Sequence, residues 1–241
     1  MRLSDHRYIA GQQPAKLLQS FAIAVGAGKT VAVRAALSEL DNSRHSVIYL
    51  GNPAVGARGL YTTIVCRLGG VPRFHRCNLI PQAADAIAAE WAERGRKVVI
   101  VVDEGHLLGA DQLEELRLLT SADMDSTSPF ALVLVGQPTL RQRLRLGAFA
   151  ALDQRIALRY ALPPMGAADT GEYIAHHLKL AGRTDTLFSD DAVTRIHKAA
   201  RGLPRAVNNL AVQSLIAAYA NNATIVDDKA ARAAVTDVTA E

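Results

Sequence analysis

Three strand-sized apolar runs constrain this chain more than any other feature. SVIYL (46–50), KVVIVV (97–102) and FALVLV (130–135) are apolar almost without a break. A strand with one wet face alternates apolar and polar residues. An unbroken run is what a strand buried on both faces shows. Helical patterns lie between the runs. One, over 30–40, follows a glycine loop. A second, over 82–94, is rich in alanine. A third, over 110–119, sets Leu113, Leu116 and Leu119 on one face. Strands that alternate with helices predict an α/β fold, a parallel sheet covered by helices on both sides. RIALRYAL (155–162) is a weaker strand, alternating and partly basic.

After Pro163 and Pro164 no comparable strand follows. Helical segments are predicted near 167–181, 189–201, 204–221 and 226–238. Ser189, Asp190 and Asp191, and then Asp227 and Asp228, put capping oxygens and acids at helix starts, where the dipole favours them. Pro204 stands early in its helix, where its missing N–H costs nothing. The chain therefore divides into an atypical leader (1–20) that need not be ordered, an α/β core (21–163) and a small all-helical domain (164–241).

Composition excludes several classes. With 49% hydrophobic and 21% charged residues the chain is globular, not disordered. No apolar run approaches the roughly 20 residues that cross a bilayer. The first residues carry charge without the apolar stretch of a secretory signal. Cys66 and Cys77 fit neither a disulfide framework nor a zinc site and read as small buried or half-buried residues in a reducing cytoplasm. The formal net charge of +4 permits nucleic-acid binding without requiring it.

The segment FAIAVGAGKT (21–30) carries the first chemistry. Gly26, Ala27, Gly28, Lys29, Thr30 and Val31 lie between an apolar stretch and a helix. Glycines let backbone N–H groups approach phosphate oxygens, and the starting helix points its positive end at them. Lys29 adds a full charge for terminal phosphates, and the Thr30 hydroxyl suits Mg2+. The alternative is a plain strand-to-helix turn, against which stands Lys29, a cation that opposes the dipole of the starting helix unless an anion is there. Ile23 stands where the full motif has glycine, and a β-branched residue resists unusual backbone angles. Either the last five residues cradle phosphate regardless, or binding is badly weakened.

KVVIVV ends in Asp103 and Glu104, at the sheet edge where open α/β sheets bind ligands. Asp103 would hold Mg2+, and Glu104 would orient and polarise an attacking water. The alternative is a pair of solvated loop acids. Gln137 follows FALVLV and has the reach to hydrogen-bond a γ-phosphate or the water. Arg155 precedes the last strand, and Arg205 opens a helix in RGLPR. By residue chemistry alone each arginine is as well read as a surface ion pair.

The order GAGKT, VVIVVDEGH, LVLVGQPTLRQRL, LDQRIALRY, RGLPRAVNNLA resembles the AAA+ ATPases, and most closely the ExeA-like secretion and TniB-like transposition ATPases. The resemblance covers about residues 24–240. It implies a parallel five-stranded P-loop NTPase sheet flanked by helices, a helical lid, and ATP with Mg2+ between them. It implies that Gln137 stands at the sensor-1 position. Arg155 matches the finger that completes a neighbour's site, which makes the active form a homo-oligomer, and Arg205 matches the lid's sensor-2 arginine. The chain departs from the family at Ile23 and Ala24, where glycine and an acidic or polar residue are usual, and in its short leader.

Three roles follow. The first is a DNA-transposition helper that assembles on DNA with a transposase, favoured by the basic pI and the lack of a membrane segment. The second is a secretion-associated ATPase at the envelope. The third is a non-catalytic nucleotide-binding or assembly protein, motivated by Ile23 and the leader. Arg141, Arg143 and Arg145 form a basic helix, read as a solvated face before a DNA contact.

Overall fold

A computed structural model of the chain describes residues 18–22, 28–120 and 130–239, with side chains for 28–120 and 130–238. The chain divides into two compact units, the first including residues 29–162 and the second residues 163–241 together with Gly28.

The first unit is a five-stranded sheet in the order β2-β3-β4-β1-β5, every pair parallel. The strands are β1 (Leu18–Ala22), β2 (His45–Leu50), β3 (Lys97–Val102), β4 (Phe130–Gly136) and β5 (Ile156–Tyr160). The helices are α1 (Lys29–Ser38), α2 (Gly56–Arg67), α3 (Arg76–Arg94), α4 (Ala110–Leu119), α5 (Pro138–Leu144) and the single turn α6 (Ala150–Asp153).

The unbroken apolar run of β3 explains the layering. Val98, Ile100 and Val102 point into the larger core, with Leu60, Tyr61 and Ile64 of α2, Leu79 and Ile87 of α3, and Leu113 and Leu116 of α4. Val99 and Val101 point the other way, onto Val33 and Leu37 of α1. A strand buried on both faces has no room for a polar residue, and β3 carries none after Lys97. At the opposite edge β5 buries only Ile156, which fits its alternating, partly basic sequence.

Several elements depart from the sequence pattern. β1 begins at Leu18, so its first residues fall inside the expected leader. Gln19 and Ser20 give it no apolar signature, but pairing with β4 and β5 satisfies its backbone on both sides. α2 is absent from the pattern because Gly56, Gly59, Thr62 and Thr63 are poor helix formers. Burial of Leu60, Tyr61, Ile64 and Val65 overrides them. α3 starts at Arg76, six residues before the expected 82. It passes through Pro81, which costs the bond to the Cys77 carbonyl. Cys66 and Cys77 are both exposed and free, not buried. Cys66 lies off the inward face of α2, and Cys77 lies in the first turn of α3.

The second unit holds α7 (Ala167–Leu180), α8 (Asp190–Ala200), α9 (Pro204–Ala220) and α10 (Asp228–Thr239). Its core combines Ile174, Phe188, Ile196, Val207 and Leu210 with buried alanines of α8, α9 and α10. Alanine lets these helices approach closely. Ser189 Oγ caps α8 by accepting the Ala192 N–H, and Asp227 accepts the Ala230 N–H at α10. Gly202 sits at φ +69°, and its carbonyl accepts the Met165 N–H at 2.9 Å. A Cβ there would lie 2.1 Å from the Met165 carbonyl oxygen, so only glycine fits.

Glu90, 2% exposed, ties three elements of the first unit together. It accepts hydrogen bonds from Ser46 Oγ of β2 and Arg94 Nη1 of α3, each at 2.5 Å, and pairs with Arg96 before β3. Burial raises its carboxyl, but the hydroxyl and the two guanidinium groups outweigh that and hold it below the usual 4.5. Glu90→Gln is therefore expected to lose about 1–3 kcal/mol at pH 7, read by denaturant unfolding. A depressed folded-state value stabilises above the unfolded value. The gap to the parent protein should close as pH falls through the folded value, below 4.5.

Candidate active site

Two strand ends and one helix start build the site, and from Lys29 onward its residues lie in the first unit. Gly28, at φ +79°, leads into α1, and Lys29 is the helix's first residue. Lys29 is 8% exposed, an unusual burial for an ammonium group. Its Nζ lies 3.8 Å from Glu104 Oε2. Thr30 Oγ1 donates to Asp103 Oδ2 at 3.0 Å, across 73 residues of sequence. The end of β3 and the start of α1 thus face each other as the paired motifs require.

Asp103 is 3% exposed, and three donors hold it. Oδ2 accepts from Thr30 and, at 2.6 Å, from the Tyr49 hydroxyl; Oδ1 accepts the Glu104 N–H at 2.8 Å. The carboxylate is fixed in orientation before any ligand enters. Tyr49 is a site residue that sequence reasoning missed. It is the penultimate residue of β2 and pairs with Val101, two residues before Asp103 and so on the same face of the sheet; that parallel register was the signal that could have found it. The Tyr49 hydroxyl is pushed up to about 12, first by burial and then by its bond to Asp103.

Glu104 has left-handed backbone angles, φ 51° and ψ 33°. Such a conformation in a non-glycine residue is costly and recurs at functional sites. Its side chain is partly open to solvent, and His106 Nδ1 lies 3.3 Å from Oε2. The next loop packs tightly against it. A Cβ on Gly136 would meet Leu140 Cδ2 at 2.7 Å and the His106 nitrogen at 3.1 Å. Arg143 Nη1 donates to the His106 carbonyl at 2.9 Å, so Arg143 leaves the solvated face expected of its helix, while Arg141 and Arg145 stay on it. Gln137, half-buried, is the N-cap residue of α5 beside this contact.

The other expected residues are distributed as follows. Gly26 and Ala27, with Ile23 and Ala24, lie outside the described residues. Val31 is 72% exposed on α1. Arg155 is half-buried immediately before β5. Arg205 is exposed at the second position of α9, in the helical unit.

The donor set is chemically specific. Among the described residues no group of three or more His, Cys, Asp or Glu could hold a metal ion. Thr30 and Asp103 offer two oxygen ligands beside a cationic helix start. That suits a hard ion which keeps most of its waters and shares an anion's oxygens, as Mg2+ does with phosphates. The site can thus neutralise an anion, hold a hard divalent cation, and present a carboxylate beside both.

A family model described as AAA domain matches residues 24–144, half of the chain. General secretion pathway protein A of Aeromonas hydrophila is 34% identical over 199 residues, 81% of this chain and 36% of the relative. The chain thus spans about a third of that relative's length. Among solved structures, the ORC2 protein of Aeropyrum pernix, in ADPNP-ADP complexes, superposes with a TM-score of 0.67 at 14% identity. The match covers 95% of this chain and 64% of that one. The ORC1 protein of the same organism, in complex with DNA, gives 0.63 at 15% identity over 98% of this chain and 64% of that one. These two likenesses show a shared fold.

Removing the phenolic hydroxyl tests the Asp103 clamp. Tyr49→Phe deletes its shortest hydrogen bond and leaves the ring. The expected loss is about 1–3 kcal/mol of stability, as for a bond to a charged group, measured by thermal or urea unfolding at pH 7.

Proposed function

The chain belongs to the AAA domain family, and on that premise we propose that it is an ATPase that binds and hydrolyses ATP with Mg2+. The observation that carries the reading is the Thr30–Asp103 hydrogen bond at 3.0 Å, with buried Lys29 beside Glu104. Loop residues 26–31 and the N-terminus of α1 would hold the phosphates, with Lys29 on the terminal ones. Thr30 and Asp103 would hold Mg2+, which supplies positive charge for the phosphate oxygens. Glu104 would orient the attacking water and draw on its proton. Gln137 would hydrogen-bond the γ-phosphate or that water. Arg205 would reach the nucleotide from the helical unit, acting as a lid. Arg155 would complete the site of a neighbouring copy in a homo-oligomer.

Two cellular roles have support. Assembly on DNA as a transposition helper draws on the motif order and on the basic pI of about 9.2. A secretion-associated role draws on the 34% identity to General secretion pathway protein A. No helix among the described residues is long and apolar enough to cross a membrane. DNA-stimulated turnover would favour the first role, and co-sedimentation with envelope membranes the second.

Mg-ATP titration calorimetry on the parent chain, Lys29→Ala and Glu104→Gln tests the core reading. Lys29→Ala should lose about 2–5 kcal/mol of binding, as when one partner of a desolvated charge pair is removed. Glu104→Gln should keep binding and lose about 10²–10⁴-fold in turnover, measured by phosphate release. Binding that appears only in Ile23→Gly would make the chain a nucleotide-free assembly protein instead.

A further inference from the structure

The net charge of this chain is concentrated in one place. Residues 51–84 contain Arg58, Arg67, Arg73 and Arg76 and no Asp or Glu. Without those four, 23 Lys and Arg remain against 23 Asp and Glu, so the whole formal +4 lies in this segment. It folds as α2, the turn 68–75 and the first turns of α3. The inward residues of α2 pin it to the core, so its outer surface is firmly supported.

Among the described residues only one of the four arginines forms an ion pair. Arg76 pairs with the buried carboxylate of Glu115. Arg58, Arg67 and Arg73 are exposed and make no ion pair among the described residues. The turn between the helices also exposes two apolar side chains, Val71 at 85% and Phe74 at 74%. Phe74 is nonetheless positioned. The Arg58 guanidinium lies 4.8 Å from its ring centroid, and His75 meets it edge-on at 5.2 Å. An aromatic ring held in place while exposed gains the fold little.

We propose that the turn between α2 and α3 is a docking surface for single-stranded nucleic acid. Arg58, Arg67 and Arg73 take phosphates, and Phe74 stacks on an unpaired base. This rests on the DNA reading above and deepens it. Unpaired positive charge beside an offered aromatic ring is the combination that single strands require. The charges are arginines, whose planar fork matches phosphate. Arg58 and Arg67 are nine residues apart on α2, two and a half turns and about 13 Å along its axis, so they leave opposite flanks of the helix on either side of its buried face. The remaining residues sum to a formal charge of zero.

Fluorescence anisotropy with the full chain and labelled oligothymidine, titrated with salt, tests this. The parent protein should bind, with affinity falling steeply as salt rises. Arg67→Ala with Arg73→Ala should flatten the log–log salt slope by about 1.4, two phosphate contacts of a single strand. Phe74→Ala should weaken binding about tenfold with the slope unchanged. Arg141→Ala with Arg145→Ala, on the other basic helix, should change neither. Unfolding midpoints and Mg-ATP affinity, measured on every variant, keep folding and the ATP site separate from the result. Parent binding that the turn variants leave intact would overturn the surface while the DNA reading stands. No oligothymidine binding by the parent at low salt would overturn both. Binding to phosphatidylserine vesicles in its place would assign the patch to a membrane surface.

Discussion

Burial of β3 on both faces is the constraint on which the rest of this molecule depends. Its five valine and isoleucine side chains leave solvent on neither side, so helices must cover both faces of the sheet. A strand so enclosed can turn polar only where it ends. It ends at Val102, and Asp103 follows at once, next to the start of the helix that covers its second face. The same packing that makes β3 a core strand therefore delivers Asp103 to Thr30. At this point the fold and the site are one arrangement.

The loop after β3 stores cost for position. Glu104 occupies a left-handed conformation worth about 1–3 kcal/mol of strain in a residue with a side chain. Its neighbours leave it little choice. Its N–H is held by Asp103 Oδ1, and its carbonyl accepts the Leu107 N–H at 2.8 Å. Gly105 and Gly136 then let the following loops close, since a Cβ on either would press against Leu140. The result is a carboxylate whose backbone is fixed and whose side chain is partly open, as a group that must address a ligand requires.

How much of this was legible in the sequence follows from how local each signal is. The strands β2, β3 and β4 were legible because unbroken apolar runs have few alternatives. The helices of the second unit were legible from Ser189, Asp227 and Pro204, whose preferences are local. Thr30 and Asp103 were legible as a pair because each lies at the end of a legible element. β1 and α2 were not. Gln19 and Ser20 are strand residues only because neighbours complete their hydrogen bonds, and Gly56 and Gly59 are helical only because Tyr61 and Ile64 are buried. Tyr49 was missed for the same reason. Its role exists only through parallel register, which no residue of β2 announces. The cysteines were misread because their usual burial is a tendency of the residue type, while Cys66 takes whichever side of α2 its position dictates.

The pairing of Lys29 with Glu104 links the site's electrostatics to the proposed chemistry. A cation at a helix start opposes the dipole, and Lys29 is nearly buried as well. Glu104 offsets part of that cost from 3.8 Å, a long distance for an ion pair, with an acid that is partly solvated. A phosphate at the same helix start would offset more. It carries more charge, meets the helix N–H groups directly and agrees with the dipole. Under the proposed function, nucleotide would therefore take Lys29 away from Glu104. The carboxylate would then be released from Lys29 where a water beside the terminal phosphate would need a base, so one exchange of partners would both bind the phosphates and ready Glu104.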